Sequence, residues 1–349
     1  MPCDLAELVA RYYRLVPAEE LNSAEPAELA SSVRSHLALA AQRVPGRALV
    51  RLLNPTRADD GWNCRDTVIQ IVTDDMPYLV DSVIAELARN NVSVRRLVHP
   101  LVVVRRDLTG TLREVLTGCD PAEVPSDALV ESWMYVNINR LTDPDRIHQV
   151  QHRLLTVLTD VREVVEDTPR MSATAGFLAD GLLTAPPPLP AEEVADGAAL
   201  LRWLADGHFT FLGYRHFELI WTSTDGHGTV PALRAVLASG LGVLRKDSVA
   251  TRGFTTGPDV DPLARNLLVL TQASSPATVY RPVYPHYIGV KTFDERGEVA
   301  GEHRFLGVLS TTALHADVLD IPVIGRMVRE VIHRAGVPAD SYSGQQILE

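Results

Sequence analysis

Residues 68–94 read Val-Ile-Gln-Ile-Val-Thr-Asp-Asp-Met-Pro-Tyr-Leu-Val-Asp-Ser-Val-Ile-Ala-Glu-Leu-Ala-Arg-Asn-Asn-Val-Ser-Val, and they leave the chain little choice of local structure. Ile69 and Ile71 share one strand face at period two. From Leu79 the spacing becomes helical: Leu79, Val80, Val83, Ile84, Leu87 and Ala88 form a stripe that must lie on a sheet. Asp74 or Asp75 is placed to cap the first-turn amides, and Pro77 suits a helix start. Asn90-Asn91 stops the helix through the left-handed conformation that asparagine tolerates. A strand, tight turn, helix and second strand with no slack between them demand further strands alongside.

The neighbouring sequence supplies them. Residues 48–53 alternate like an edge strand. Residues 92–106 are a long β-branched run broken at His99-Pro100, where proline removes a ladder donor. Asp107-Leu-Thr-Gly110 turns the run back into residues 111–116 as a hairpin. A later strand points Met134, Val136 and Ile138 inwards and Tyr135, Asn137 and Asn139 to the other side. Asp143-Pro144 then opens a helix whose buried stripe is Ile147, Val150, Leu154 and Leu158. Residues 161–166 are either a closing strand or that helix continuing. The order β-α-β-β-α-β with an extra hairpin strand, over residues 66–167, is a ferredoxin-like antiparallel sheet with both helices on one face. Ahead of it, residues 1–65 carry helical stripes at Leu5, Leu8, Val9, Tyr12 and at Leu29, Val33, Leu37, Ala40. These pack against the domain that follows or against another copy of the chain.

Residues 168–183 read as a short helix, and Ala185-Pro-Pro-Pro-Leu-Pro190 as an extended spacer, so 168–190 is a linker. A helix over 192–206 with Val194, Ala198, Leu201 and Leu204 buried opens a second domain, 191–320. Strand patterns follow at 209–220, 240–244, 267–271, 277–281, 287–293 and 299–310, with polar loops at 222–228 and 247–262. A leading helix and about five antiparallel strands make a single curved sheet of PAS type, with a lone β-barrel as the alternative. Residues 321–349 are a connecting helix, ended by Gly336, and a further helical pattern from Ser343 that reads as cut mid-element.

Composition removes several functions. A net charge of −11 opposes wrapping a phosphate backbone, so no nucleic-acid partner is expected. No apolar run approaches the roughly 20 residues of a membrane helix, and no signal peptide opens the chain, which points to the cytoplasm without a membrane partner. Cys3, Cys64 and Cys119 lack CxxC spacing and read as reduced thiols. A nicotinamide site needs Gly-x-Gly-x-x-Gly between strand and helix; Gly240-Leu-Gly242-Val-Leu-Arg245 puts arginine at the third position. His216-Phe-Glu218 mimics a deaminase His-x-Glu without the Pro-Cys-x-x-Cys partner, and reads as a solvated strand face. No catalytic, cofactor-binding or metal-binding residue is therefore assigned. Two ligand sites are candidates. Asp75, Pro77, Tyr78 and Asp81 form an effector or interface site at the strand–helix turn. Tyr280, Arg281, Tyr284, His286, Tyr287, Lys291 and Arg304 form an aromatic and basic cluster suited to a small anion. Against each stands plain packing, with tyrosine tips wet and arginines paired with the acids this chain has in excess.

Asp75-Met76-Pro77-Tyr78-Leu79-Val80 resembles the Asp-x-Pro-Gly-Leu-Leu opening of ACT regulatory domains, small-molecule sensors attached to metabolic enzymes. Tyr78 stands where that family has glycine and fills the space a ligand would enter. More widely, Glu131-Ser-Trp-Met, Leu200-Leu-Arg-Trp-Leu-Ala-Asp-Gly-His-Phe-Thr-Phe-Leu-Gly-Tyr214, Ala277-Thr-Val-Tyr-Arg-Pro-Val-Tyr-Pro-His-Tyr-Ile-Gly-Val290, Arg304-Phe-Leu-Gly-Val-Leu-Ser-Thr-Thr-Ala313 and Asp320-Ile-Pro-Val323 resemble the N-terminal part of the large bacterial NAD-specific glutamate dehydrogenases. That resemblance implies ACT-like and PAS-like domains that regulate and assemble a homo-oligomer ahead of a catalytic domain outside this chain. It also implies NAD in the full-length enzyme and none in this stretch, which alone would be inactive. An amino-acid effector and a protein regulator with a phosphopeptide-reading fold are further implications. The alternative is a free-standing amino-acid-sensing ACT/PAS binding protein.

Overall fold

Strand Thr67–Asp74 breaks the alternation expected of a half-buried strand: Val68, Ile69, Ile71 and Val72 are all 0% exposed. Burial along a whole strand requires a covering layer on each face. The computed structural model describes residues 4–21, 25–224, 228–245, 263–336, 338 and 341. Cys3, the loop at 247–262 and the helical pattern from Ser343 lie outside the described residues. Within them the chain forms two units, Met1–Arg162 with Thr278–Pro282, and Glu163–Ala277 with Val283–Glu349.

In the first unit, helices α1 (Leu5–Tyr12), α2 (Ala18–Leu21) and α3 (Pro26–Ala40) precede strands β1 (Leu49–Leu53) and β2 (Thr67–Asp74). Helix α4 (Leu79–Arg89), strands β3 (Val94–Val98), β4 (Leu101–Arg106), β5 (Leu112–Val115) and β6 (Leu129–Ile138), and helix α5 (Pro144–Thr184) follow. The antiparallel sheet has the order β1-β2-β6-β4-β5, with β3 also on β6. Leu8, Tyr12, Val33, Leu37 and Ala40 form one core with Val68, Val72, Trp133 and Tyr135. The N-terminal helices thus close the face that the sequence left as Tyr135's "other side". Ile69, Ile71, Met134 and Val136 are 0% exposed as well, and on α4 and α5 Val83, Leu87, Val150, Leu154 and Leu158 are at most 1% exposed. Each such side chain contributes about 1.5–3 kcal/mol of transfer free energy.

Two local expectations need correction. Residues 161–166 do not form a closing strand; α5 continues, because Val161 and Val164, both 0% exposed, extend its stripe at helical spacing. The sheet edge beside β2 is filled by β1 instead, in register from Leu49↔Val72 to Leu53↔Val68. The cap at α4 is the second correction. Its N-cap is Tyr78, without a side-chain cap bond, and Asp74 is drawn away into ion pairs with Arg43 and Arg162. The α4 stripe is also turned from the sequence reading: Ser82, Ala85 and Glu86 are buried while Ile84 is 40% exposed.

The second unit carries α5 on through Pro169 to Thr184, then α6 (Ala191–Trp203). Its strands are β7 (Phe209–Thr224), β8 (Gly228–Ala235), β9 (Leu241–Gly242), β10 (Leu268–Gln272), β11 (His286–Phe293) and β12 (Val299–Leu309). They form one antiparallel sheet in the order β10-β11-β12-β7-β8, with β9 also on β7. Met171 and Ala175 of α5, Leu201 of α6, and Phe209, Phe211, Ile288 and Phe305 share its core. Strand β8 escaped the sequence reading because Pro231 disguises it; proline is tolerated since β8 lies at the sheet edge. Residues 277–281 are not a strand: Tyr280 is left-handed, and the Ala277 and Tyr280 amides are spent on the Val283 carbonyl and Ser82 Oγ instead of a ladder. Helix α7 (Thr311–Leu314) and helix α8 (Ile324–Ala335) end the described chain, with Gly336 left-handed after α8.

Candidate functional site

The turn from β2 into α4 places Asp75, Pro77, Tyr78 and Asp81 together at one end of the first sheet. Tyr78 adopts φ +71°, a conformation that costs a side-chain-bearing residue about 1–2 kcal/mol. The position therefore calls for glycine on backbone grounds alone, quite apart from space for a ligand. Beneath the turn, His99 Nε2 lies 2.5 Å from Ser132 Oγ, and the charge of Asp75 acts on His99. Burial pushes the Asp75 carboxyl up and His99 down from their ordinary values. Asp75, His99 and Ser132 are the residue types of an acyl-transfer triad, yet Ser132 is 0% exposed within β6. A nucleophile without substrate access performs no acyl transfer, so this hydrogen bond belongs to the core. Sequence reading treated His99 only as a strand break; its partner is 33 residues away, which spacing does not reveal.

The seven residues of the second candidate site divide. Tyr280 and Arg281 belong to the first unit, where the Tyr280 ring lies 5.0 Å from that of Tyr78. Tyr284 is 54% exposed. His286 sits at the start of β11, its pKa lowered by burial. Lys291 Nζ donates to the Ala264 carbonyl at 2.6 Å and to Asn266 Oδ1 at 3.2 Å. Tyr287 Oη donates to Glu302 Oε1, which also accepts from Arg304 Nε at 3.1 Å. The Arg304 guanidinium lies over the Phe217 ring, 4.2 Å from its centroid. Gly289 permits this packing: a Cβ there would come within 2.2 Å of Glu302 Oε1. Burial holds the Tyr287 phenol well above its ordinary pKa, so it remains a neutral donor at pH 7. Glu302, missed in the sequence, ties Tyr287 and Arg304 into a buried polar scaffold on one face of β11 and β12.

A groove of about 560 Å³ does open in the second unit, between the end of α5, Pro186 to Pro188 and strand β11. Of the seven residues only Lys291 lines it, with Phe177, Leu182, Phe293 and His303. His303 is held through Nδ1, 2.7 Å from Tyr214 Oη, and stacks on His216 at 4.4 Å. Burial lowers its pKa to about 4, so it is a neutral imidazole at physiological pH. Glu218 stands exposed, paired with Arg234.

Comparison with known proteins gives this architecture its family. The glutamate dehydrogenase ACT1 domain matches residues 8–154, and glutamate dehydrogenase helical motif 1 matches residues 321–349. The NAD-specific glutamate dehydrogenases of Pseudomonas aeruginosa and Halomonas elongata are each 30% identical to it, over 97% of this chain and 21% of theirs. The chain belongs to the NAD-specific glutamate dehydrogenase family. The enzyme of that name from Mycobacterium tuberculosis is 33% identical over 319 residues, 90% of this chain and 18% of that relative. The chain therefore spans about a fifth of the length of the curated relatives it matches. The ACT1 match runs from within α1 into α5, so the N-terminal helices are an integral layer of this glutamate dehydrogenase domain.

Position 78 can be tested directly. Tyr78→Gly removes the left-handed strain but also the ring contact, worth about 0.5–1.5 kcal/mol, and should fall within about 1 kcal/mol of the parent. Tyr78→Val loses the ring and keeps the strain in its worst, β-branched form, and should cost about 2 kcal/mol or more. Urea unfolding of both variants reads the difference; equal losses would mean that backbone conformation does not govern this position.

Proposed function

We propose that this chain is a regulatory and assembly part of an NAD-specific glutamate dehydrogenase, which oxidises L-glutamate with NAD and water to 2-oxoglutarate, ammonia and NADH. The observation that carries this reading is a similarity running along 97% of the chain but only 21% of its relatives. The fold supports it from the other side. Dinucleotides bind at the carboxyl ends of parallel strands, whereas the strand pairings of both sheets are antiparallel among the described residues. On this reading NAD and glutamate react in a part of the protein outside these 349 residues. The second unit serves as a PAS-like sensor, a reading supported by one antiparallel sheet led in by α6. Both units build a homo-oligomer in the cytoplasm and answer to an amino-acid effector or a protein regulator. Among the described residues, no helix is long and apolar enough to cross a membrane.

The test is an assay of glutamate-dependent NADH formation by the purified chain and by the longer protein that contains it. The longer protein should turn over and the 349-residue chain should not. NADH formation by the short chain alone would overturn the assignment.

A further inference from the structure

Two tyrosines of the first unit occupy the left-handed region, Tyr78 at φ +71° and Tyr280 at φ +72°, and their rings touch each other. Bulky residues remain in that conformation only where their surroundings fix them, and such strain gathers at clamps and switch points. Here the fixing is mutual. The Tyr280 N–H donates to Ser82 Oγ at 2.9 Å, and that hydroxyl donates to the Tyr78 carbonyl at 2.6 Å. Ser82 is 0% exposed in the first turns of α4, so its hydroxyl is committed to joining the two tyrosines. Next to Tyr280, Val279 is buried to 1% exposure, and Thr278 Oγ1 donates to Asp160 Oδ2 of α5 at 3.1 Å. The Arg281 guanidinium covers the Tyr280 ring at 4.6 Å and donates to its hydroxyl at 2.6 Å.

A backbone hydrogen bond to a fixed acceptor, one buried aliphatic side chain and one stacked aromatic hold residues 278–282 here as a bent segment, turned at the left-handed Tyr280. We propose that the head of α4 is a peptide-docking site with Tyr78, Ser82 and Asp160 as its contacts, and that the chain's own Thr278–Pro282 occupies it reversibly. The site takes a bent segment carrying a small aliphatic residue followed by a left-handed aromatic and a basic residue. The occupied state closes the strand–helix turn; the vacated state exposes Ser82 and the Tyr78 ring to a competing segment of the same chemistry. Strain at both tyrosines keeps the occupied state from being locked.

The experiment replaces residues 278–282 by Gly-Ser-Gly-Ser-Gly in the full chain and titrates it with the peptide acetyl-Thr-Val-Tyr-Arg-Pro-amide. Saturable binding is expected, at least about ten-fold tighter than to the unaltered chain, whose tethered segment competes at high effective concentration. Changing the peptide's tyrosine to alanine, or Ser82→Ala in the protein, should weaken binding about ten-fold. No saturable binding to a variant that unfolds cooperatively, or binding indifferent to the peptide's tyrosine, would overturn the proposal. If the variant does not fold, hydrogen exchange of the unaltered chain decides. The Tyr280 amide should exchange at least about a hundred-fold faster than the amides of β2 that are lost only on global unfolding. Equal protection would mean that the segment is permanently built in, and the proposal fails.

Discussion

Glu131→Gln is expected to destabilise the first unit by about 3–5 kcal/mol, the usual cost of breaking a buried ion pair from one side. Glu131 is 0% exposed, and both its oxygens are fully used. Oε1 accepts from Arg43 Nε and Arg106 Nε, each at 2.7 Å, while Oε2 accepts from Arg106 Nη2 at 2.9 Å and Trp133 Nε1 at 3.0 Å. Arg43, 1% exposed, extends the network to Asp74 Oδ1 at 2.5 Å, and Asp74 in turn pairs with Arg162 of α5. An amide at position 131 is the same shape, but it withdraws the charge from two buried guanidiniums and turns an N–H towards donors. Asp74 compensates only one of them. Urea denaturation gives the number; a loss below about 1 kcal/mol would mean that water reaches this centre and screens it. The network joins the loop after α3, the end of β2, β4, β6 and α5, so the loss should appear as lowered cooperativity of the whole first unit.

That ion centre also shows where sequence reading stops. Glu131-Ser-Trp-Met was legible as a family signature, but Glu131 finds its partners 88 and 25 residues away, and no periodicity encodes such pairings. Elements with an internal period were legible: β2, α4, the α6 stripe Val194, Ala198, Leu201 and Leu204, and the hairpin turned by Gly110 at φ +87°. Gly110 is required there, since a Cβ would meet the Arg43 carbonyl oxygen at 2.0 Å. Competition between elements was not legible. β1 took the sheet edge that residues 161–166 could have claimed, because hydrogen-bond partners for an edge are chosen by tertiary proximity. Residues 277–281 have strand composition, yet a left-handed Tyr280 bends them out of any ladder. For the same reason the candidate residues at Tyr78 and Tyr280, 202 positions apart by 280 − 78, could not be joined before the fold was known.

Acid should weaken the first unit well before its carboxylates titrate, and His36 is the cause. The imidazole is 0% exposed in α3, with Nδ1 at 2.7 Å from Tyr12 Oη and Nε2 at 3.1 Å from the Ile71 carbonyl. A neutral ring protonated at Nε2 satisfies both: it donates to the carbonyl and accepts from the phenol. A second proton would place a full charge on a ring with no solvent exposure, where desolvation opposes it. Burial accordingly lowers the pKa to about 3, against about 6.5 for the unfolded chain. Because the folded value is the lower one, the unfolded state takes up the proton first. Stability is therefore complete above pH 6.5 and falls as pH descends towards 3, by up to about 1.4 kcal/mol per unit. Between pH 6.5 and 5 the loss should reach about 2 kcal/mol. His99 in the first unit and His303 in the second add losses of the same sign, whereas Asp74, whose pKa is lowered through Arg43 and Arg162 despite burial, acts only below about pH 4. Urea midpoints measured across that range should slope steeply for the parent chain and clearly less for His36→Gln, where His99 remains, whatever the variant's absolute stability. Parallel slopes would show that the imidazole is already charged, or that the unfolded chain gains no proton there, and the assignment of acid sensitivity to this residue would not stand.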